Sequence, residues 1–146
     1  EARDFIAKYF ERFEGVKRYL DSMVEFAREH GYVQTIFNRR RYIPELRERN
    51  FNMRALGERT AANSPIQGSA ADMIKIAMIN INQELKAEKM DARMTMQVHD
   101  ELVFDVPRHE VEKIKPIIEH HMKNAIKTEV PIMVEIGTGI NWLEAH

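Results

Sequence analysis

The stretch MTMQVHDELVFDV, residues 94–106, constrains the fold of this chain more than any other. Met94, Met96 and Val98 alternate with Thr95, Gln97 and His99, the period of a strand with one buried face. Leu102, Val103, Phe104 and Val106 follow with almost no polar relief, and two such runs in succession read as a β-hairpin. Its tip is acidic, with Asp100 and Glu101 after His99. A tight two-residue turn favours Asn-Gly or Asp-Gly because its central residues need positive φ, and Glu101 suits that conformation poorly. A charged pair at an exposed turn is also what ordinary hairpins carry. Disagreement between local preference and sequence is expected where a site serves function.

The rest of the chain is patterned mainly as helix. Phe5, Ile6, Tyr9, Phe10 and Phe13, then Val16, Tyr19, Leu20, Met23 and Phe26, recur at helical spacing. Gly15 divides them into two helices and Gly31 stops the second. YVQTIFNRRRYIP alternates weakly about Asn38-Arg39, a short hairpin closed by Pro44. A helix is expected over residues 51–63. Ser64-Pro65 then supplies an N-cap and an N1 proline for a second helix, whose stripe of Ile66, Ala70, Ile74, Ala77, Met78, Ile81 and Leu85 carries it to about Lys89. Its small first turns, QGSAAD, admit a ligand or another packed segment. EVEKIKPIIEHHMKNAI reads as an amphipathic helix interrupted at Pro116, and PIMVEIGTGINW as a last strand with a glycine turn. Strands and helices alternate without parallel crossovers, so the class is α+β.

Composition narrows the functional classes. At 146 residues and 44% hydrophobic, the chain has material for one sizeable core. It has no cysteine, which excludes disulfides and thiolate metal sites. No apolar run nears the ~18 residues of a membrane span and no signal-peptide pattern opens it, so a soluble intracellular protein is expected. Net charge is −1, but residues 1–59 hold 13 Lys+Arg against 10 Asp+Glu, whereas residues 60–146 hold 9 against 13. Within the first part, NRRRYIPELRERNFNMRALGER holds seven arginines and no lysine. Guanidinium forks grip phosphate oxygens two at a time, although a solvated face accounts for such a cluster equally well.

QVHDELVFDV, with ERTAANSPIQGSAADMIK about thirty residues upstream, resembles the bacterial DNA polymerase I family, family A, in its polymerase domain. GYVQT, RRRYIPEL and GTGINWLEAH resemble the same family, in the same order. The resemblance implies an antiparallel palm sheet packed against helices and preceded by helices of the fingers region, with residues 1–50 as partial fingers and residues 51–146 as palm carrying the His-Asp-Glu hairpin. It implies catalytic roles for Asp100 and Glu101, with Asp100 a metal ligand and two Mg²⁺ ions in the complete site. It places His99 near the primer terminus, and Arg59, Asn63 and Gln67 on the minor groove of primer-template DNA. The implied reaction is DNA-directed nucleotidyl transfer from a dNTP, in the bacterial cytoplasm at the nucleoid and with no membrane association.

The residues alone leave blander readings open. Histidine is not a natural Mg²⁺ ligand, and a lone one is usually packing or surface. Arg59, Asn63 and Gln67 are spaced as one helical face, but Pro65 argues against a single helix there, and helix capping or a surface ion pair would account for them. Two family features are missing: an Asp-Tyr-Ser strand motif with the second metal-binding aspartate, and the fingers helix that grips the triphosphate. The chain is therefore expected to be a C-terminal fragment that depends on upstream parts of the same polymerase and is inactive alone. Asp72 on the long helix is expected to be solvated or capping, and Asp105 to lie well away from the tip. A non-catalytic nucleic-acid-binding module is the alternative, and a metal-dependent phosphohydrolase a third reading.

Overall fold

The computed structural model describes residues 2–145. They fall into two compact units, up to Ala70 and from Ala71. The fold is α+β: helices with two separate two-stranded antiparallel sheets.

The first unit opens with α1 (Ala2–Arg12) and α2 (Glu14–His30). They part at Phe13 (φ −119°, ψ 56°) rather than at Gly15, which lies inside the first turn of α2. Gly31 ends α2 as expected. It adopts φ +80°, where glycine carries no Cβ penalty, and its N–H reaches the Ala27 carbonyl at 2.8 Å. Strands β1 (Tyr32–Gln34) and β2 (Arg40–Tyr42) form the short hairpin, Tyr32 opposite Tyr42. Its turn is built by Thr35, whose hydroxyl accepts the N–H groups of Phe37 and Arg39, both at 3.3 Å, while Asn38 takes φ +62°. A 3₁₀ turn over Pro44–Arg47 follows. Ala27, Val33, Ile43 and Ala61 are buried together, with Val24 and Leu46 packed on them.

Helix α3 runs without interruption over Phe51–Ala87, with Pro65 inside it. This corrects the expectation of two helices meeting at Ser64-Pro65. The Asn50 side chain caps the start by accepting the Asn52 N–H at 2.8 Å, so no second cap is needed, and Ser64 is a buried mid-helix residue. Packing overrides the proline: Ala61, Ser64 and Ser69 are all buried on one side of the helix. The C-terminal turn uses Lys89 at φ +53°, with the Met90 N–H reaching back to the Leu85 carbonyl at 2.9 Å in a Schellman closure.

In the second unit, β3 (Arg93–Val98) and β4 (Glu101–Asp105) form the expected hairpin. The register pairs Met94 with Phe104, then Met96 with Val103, leaving Thr95 as a bulge whose hydroxyl donates to the Val103 carbonyl at 3.2 Å. The bulge breaks the strict alternation read from the sequence. Met94 and Gln97 share a face with Phe104 and Leu102, whereas Met96 and Val98 share the other with Val103 and Glu101. After a 3₁₀ turn (Arg108–Glu110), α4 (Val111–Lys123) continues through Pro116 instead of being interrupted there and stops at Asn124, short of Ile126. The Glu110 carboxylate accepts the N–H groups of Asp91 and Ala92 at 3.1 and 2.9 Å, tying the approach to β3 onto the start of α4.

Ala77, Ile81 and Leu85 of α3 meet Ala92 and, from α4, Ile114 and Ile118, with Met94, Leu102 and Phe104 of the hairpin laid against them. A His121–Glu84 side-chain contact joins α4 to α3. The last strand expected over residues 131–142 does not form: residues 131–139 pair with neither β3 nor β4, and an extended segment becomes a strand only with a ladder partner. A short α5 (Trp142–Ala145) follows. No helix among the described residues is long and apolar enough to cross a membrane.

Ile81 is fully buried and Ile79, two residues away, is 56% exposed. Ile81→Ala is expected to lower unfolding stability by about 2–5 kcal/mol, and Ile79→Ala by no more than ~0.5 kcal/mol, in urea titrations of the purified chain.

Candidate DNA-contact helix and acidic hairpin

Arg59, Asn63 and Gln67 all lie in the first part of α3. Because the helix is continuous, steps of four residues turn only about 40°, and the three side chains form a row on one face. All three are exposed, as are Ile66 and Ala70 beside them. Continuity also removes the capping explanation for Asn63 and Gln67, since neither stands at a helix end. Among the described residues neither side chain is hydrogen-bonded, and Arg59 has no ion pair; the neighbouring Glu58 is held instead by Arg28 at 2.6 Å. The row therefore presents unspent donors to solvent.

Much of the arginine cluster serves the fold rather than phosphate. Arg39 donates to the Gly68 carbonyl at 3.1 Å, and Arg54 to the carbonyls of Glu48 and Arg49 at 3.0 and 2.7 Å. Arg40 stacks its guanidinium 4.6 Å from the centroid of the Tyr32 ring. Arg41 and Gln67 line a small pocket with Thr35, Ser64 and Gly68. The small residues of QGSAAD have a definite neighbour: a Cβ on Gly68 would stand 2.7 Å from the Thr35 methyl carbon. Sequence reading anticipated close approach there but not what approaches.

In the second unit, His99 and Asp100 form the two-residue turn between β3 and β4, and Glu101 is the first residue of β4, paired with Val98. The conformational burden thus falls on His99, at φ +53°, and not on Glu101. A non-glycine residue there is strained, and the turn is held by its neighbours: the Gln97 amide, brought to that face by the bulge, donates to the His99 carbonyl at 3.1 Å. No sequence signal identified Gln97. Asp100 is exposed, while Glu101 is half-buried on the face that carries Val98 and Val103. Asp105 pairs with Arg93 at the opposite end of the hairpin, well away from the tip as expected. Asp72 is neither capping nor fully solvated: it lies mid-helix, with one carboxylate oxygen shut off from solvent.

The donor chemistry at the tip suits a hard cation. Asp100 offers carboxylate oxygens that accept no hydrogen bond among the described residues, on a turn fixed by two paired strands, and Mg²⁺ takes one or two such carboxylates beside water and phosphate oxygens. Among the described residues no three His, Asp or Glu side chains gather closely enough to enclose a metal ion.

The chain thus carries an exposed row of amide and guanidinium donors on α3 and an acidic tip on the β3–β4 hairpin. The chain belongs to DNA polymerase family A, whose profile matches residues 1–144. It is 49% identical over 144 residues to DNA polymerase I of Caldicellulosiruptor bescii, covering 99% of this chain and 17% of that protein. It is 48% identical over 145 residues to DNA polymerase I of Bacillus caldotenax, covering 99% and 16%. The chain thus spans 16–17% of the length of these curated relatives. Among solved structures it is similar, with a TM-score of 0.95 and 46% identity, to the POL domain of Pol1 from M. smegmatis in complex with DNA primer-template and dNTP, covering 99% of this chain and 26% of that one.

The first central position of a turn with positive φ only there is normally glycine. His99→Gly is accordingly expected to raise the stability of the chain by about 1 kcal/mol in urea unfolding, although it removes a side chain.

Proposed function

We propose that this chain is the DNA-holding and metal-binding segment of a DNA-directed DNA polymerase that transfers a nucleotide from a dNTP to a primer 3′-hydroxyl. The observation that carries the reading is near-complete alignment, at 46% identity, with a polymerase domain solved on primer-template and dNTP. Residues 1–50 would be part of the fingers and residues 51–146 palm, working in the bacterial cytoplasm at the nucleoid. The donors of Arg59, Asn63 and Gln67 address minor-groove acceptors, which are nearly equivalent across base pairs, so pairing shape is tested without sequence being read. His99 stands beside the primer end.

Asp100 would hold Mg²⁺, with Glu101 in support. When bound, the ions of a two-metal site stabilise the attacking and leaving oxygens of phosphoryl transfer. This chain contributes the carboxylate and the strained turn that keeps it at a strand end. A second metal-binding carboxylate would come from upstream parts of the same polymerase, and the chain alone would not synthesise DNA.

The test is a chimera in which these 146 residues replace the matching segment of the Bacillus caldotenax enzyme. Asp100→Ala is expected to slow Mg²⁺-dependent primer extension by about 100- to 1,000-fold while primer-template affinity stays within about threefold. Extension at an unchanged rate would overturn the assignment of Asp100. Extension by the isolated chain, abolished by Asp100→Ala, would overturn the need for an upstream carboxylate.

A further inference from the structure

Three contacts converge from the β1–β2 hairpin onto one turn of α3, one of them relayed within the helix, and nothing in the proposed reaction uses them. Arg39 donates to the Gly68 carbonyl at 3.1 Å. The Ile36 N–H donates to the Ser69 hydroxyl at 3.0 Å, and that hydroxyl donates to the Pro65 carbonyl at 2.5 Å. The Thr35 methyl carbon fills the space where a side chain on Gly68 would begin, 2.7 Å from the ideal Cβ position. Thr35 and Ser69 are each only 8% exposed, so these are packed contacts.

The turn they grip is the one that needs support. Pro65 has no N–H, which deprives the helix of the bond it would donate to the Ala61 carbonyl. Gln67 sits within this weakened turn, exposed, between the gripped Pro65 and Gly68. A hydrogen-bonding side chain that must meet a groove acceptor gains from a backbone held within a fraction of an ångström.

We propose that the β1–β2 hairpin is a positioning element for the DNA-contact face, with Thr35 and Arg39 acting through Gly68 and Ser69 to fix the helical turn that presents Gln67. Neither Thr35 nor Arg39 need touch DNA for this. The proposal rests on the reading of Gln67 as a DNA contact. The brace itself is a separate, measurable property.

The experiment uses the 146-residue chain in two measurements: amide hydrogen exchange across residues 66–71, and anisotropy of a fluorescent primer-template duplex. Gly68→Ala, which collides with Thr35, and Arg39→Met, which removes a donor, are each expected to speed exchange in this turn and weaken duplex binding by about 3- to 10-fold. Thr35→Ser removes the obstructing methyl and keeps the hydroxyl that builds the turn, so Thr35→Ser/Gly68→Ala should recover both readouts. Arg39→Lys, which keeps a donor, should recover part of them. In a Gln67→Ala background the binding loss from Gly68→Ala should vanish, whereas a general loss of fold would persist there. Unchanged exchange in both Gly68→Ala and Arg39→Met overturns the brace, and an additive binding loss in the Gln67→Ala background overturns its action through Gln67. Duplex binding that is absent, or indifferent to Gln67→Ala, overturns the DNA-contact reading, while the exchange data still judge the brace.

Discussion

Continuity of α3 through Pro65 is the constraint on which the row of Arg59, Asn63 and Gln67 depends. A proline inside a helix costs about 3 kcal/mol or more, because a backbone bond is lost and the ring crowds the preceding turn. Had the helix broken there, Arg59 and Asn63 would belong to one segment and Gln67 to another. The row exists because tertiary contacts outweigh the local preference: Ala61, Ser64 and Ser69 are buried, and the β1–β2 turn donates to the Gly68 carbonyl and to the Ser69 hydroxyl, which in turn bonds the Pro65 carbonyl. One side of α3 is devoted to holding the helix and the other keeps its donors free.

The acidic hairpin divides labour in a similar way. Leu102 and Phe104 anchor β4 to the core formed by Ile81, Ile114 and Ile118, so the strand ends are held rigidly. The Thr95 bulge turns Gln97 toward the same face as Leu102, from which its amide reaches the His99 carbonyl. The strain of positive φ at His99 is then sustained by the ladder on either side. A glycine would relieve that strain but would leave no imidazole beside Asp100.

Elements with strong periodicity or a terminal signal were legible in the sequence: the end of α2 at Gly31, the β1–β2 hairpin at Asn38, and the 94–106 hairpin with its carboxylates at the tip. Those decided by packing across long sequence separation were not. Pro65 and Pro116 read as breaks because local rules see only the missing N–H, whereas the buried faces of α3 and α4 hold both helices together. The bulge at Thr95 has no local marker, so the facing of Met94 and Met96 was misread. The strand expected over residues 131–142 has the right composition but no ladder partner among the described residues, and partnership is a property of the fold rather than of the segment. In the candidate site, residue identities came from motif resemblance, while Gln97, Thr35, Arg39 and Gly68 emerged only from contacts.

The seven arginines of residues 38–59 show why charge alone is a poor guide to an interface. Arg39, Arg40 and Arg54 have their guanidinium groups engaged by carbonyls and by an aromatic ring, so their presence is accounted for within the fold. What distinguishes Arg59, Asn63 and Gln67 is not charge but freedom: exposed donors with no partner among the described residues, in a row on a helix held from behind. Asp100 has the matching property on the acceptor side, its carboxylate oxygens accepting no hydrogen bond among the described residues. A ligand docking on such groups would compete against water alone and would not first have to break an internal bond.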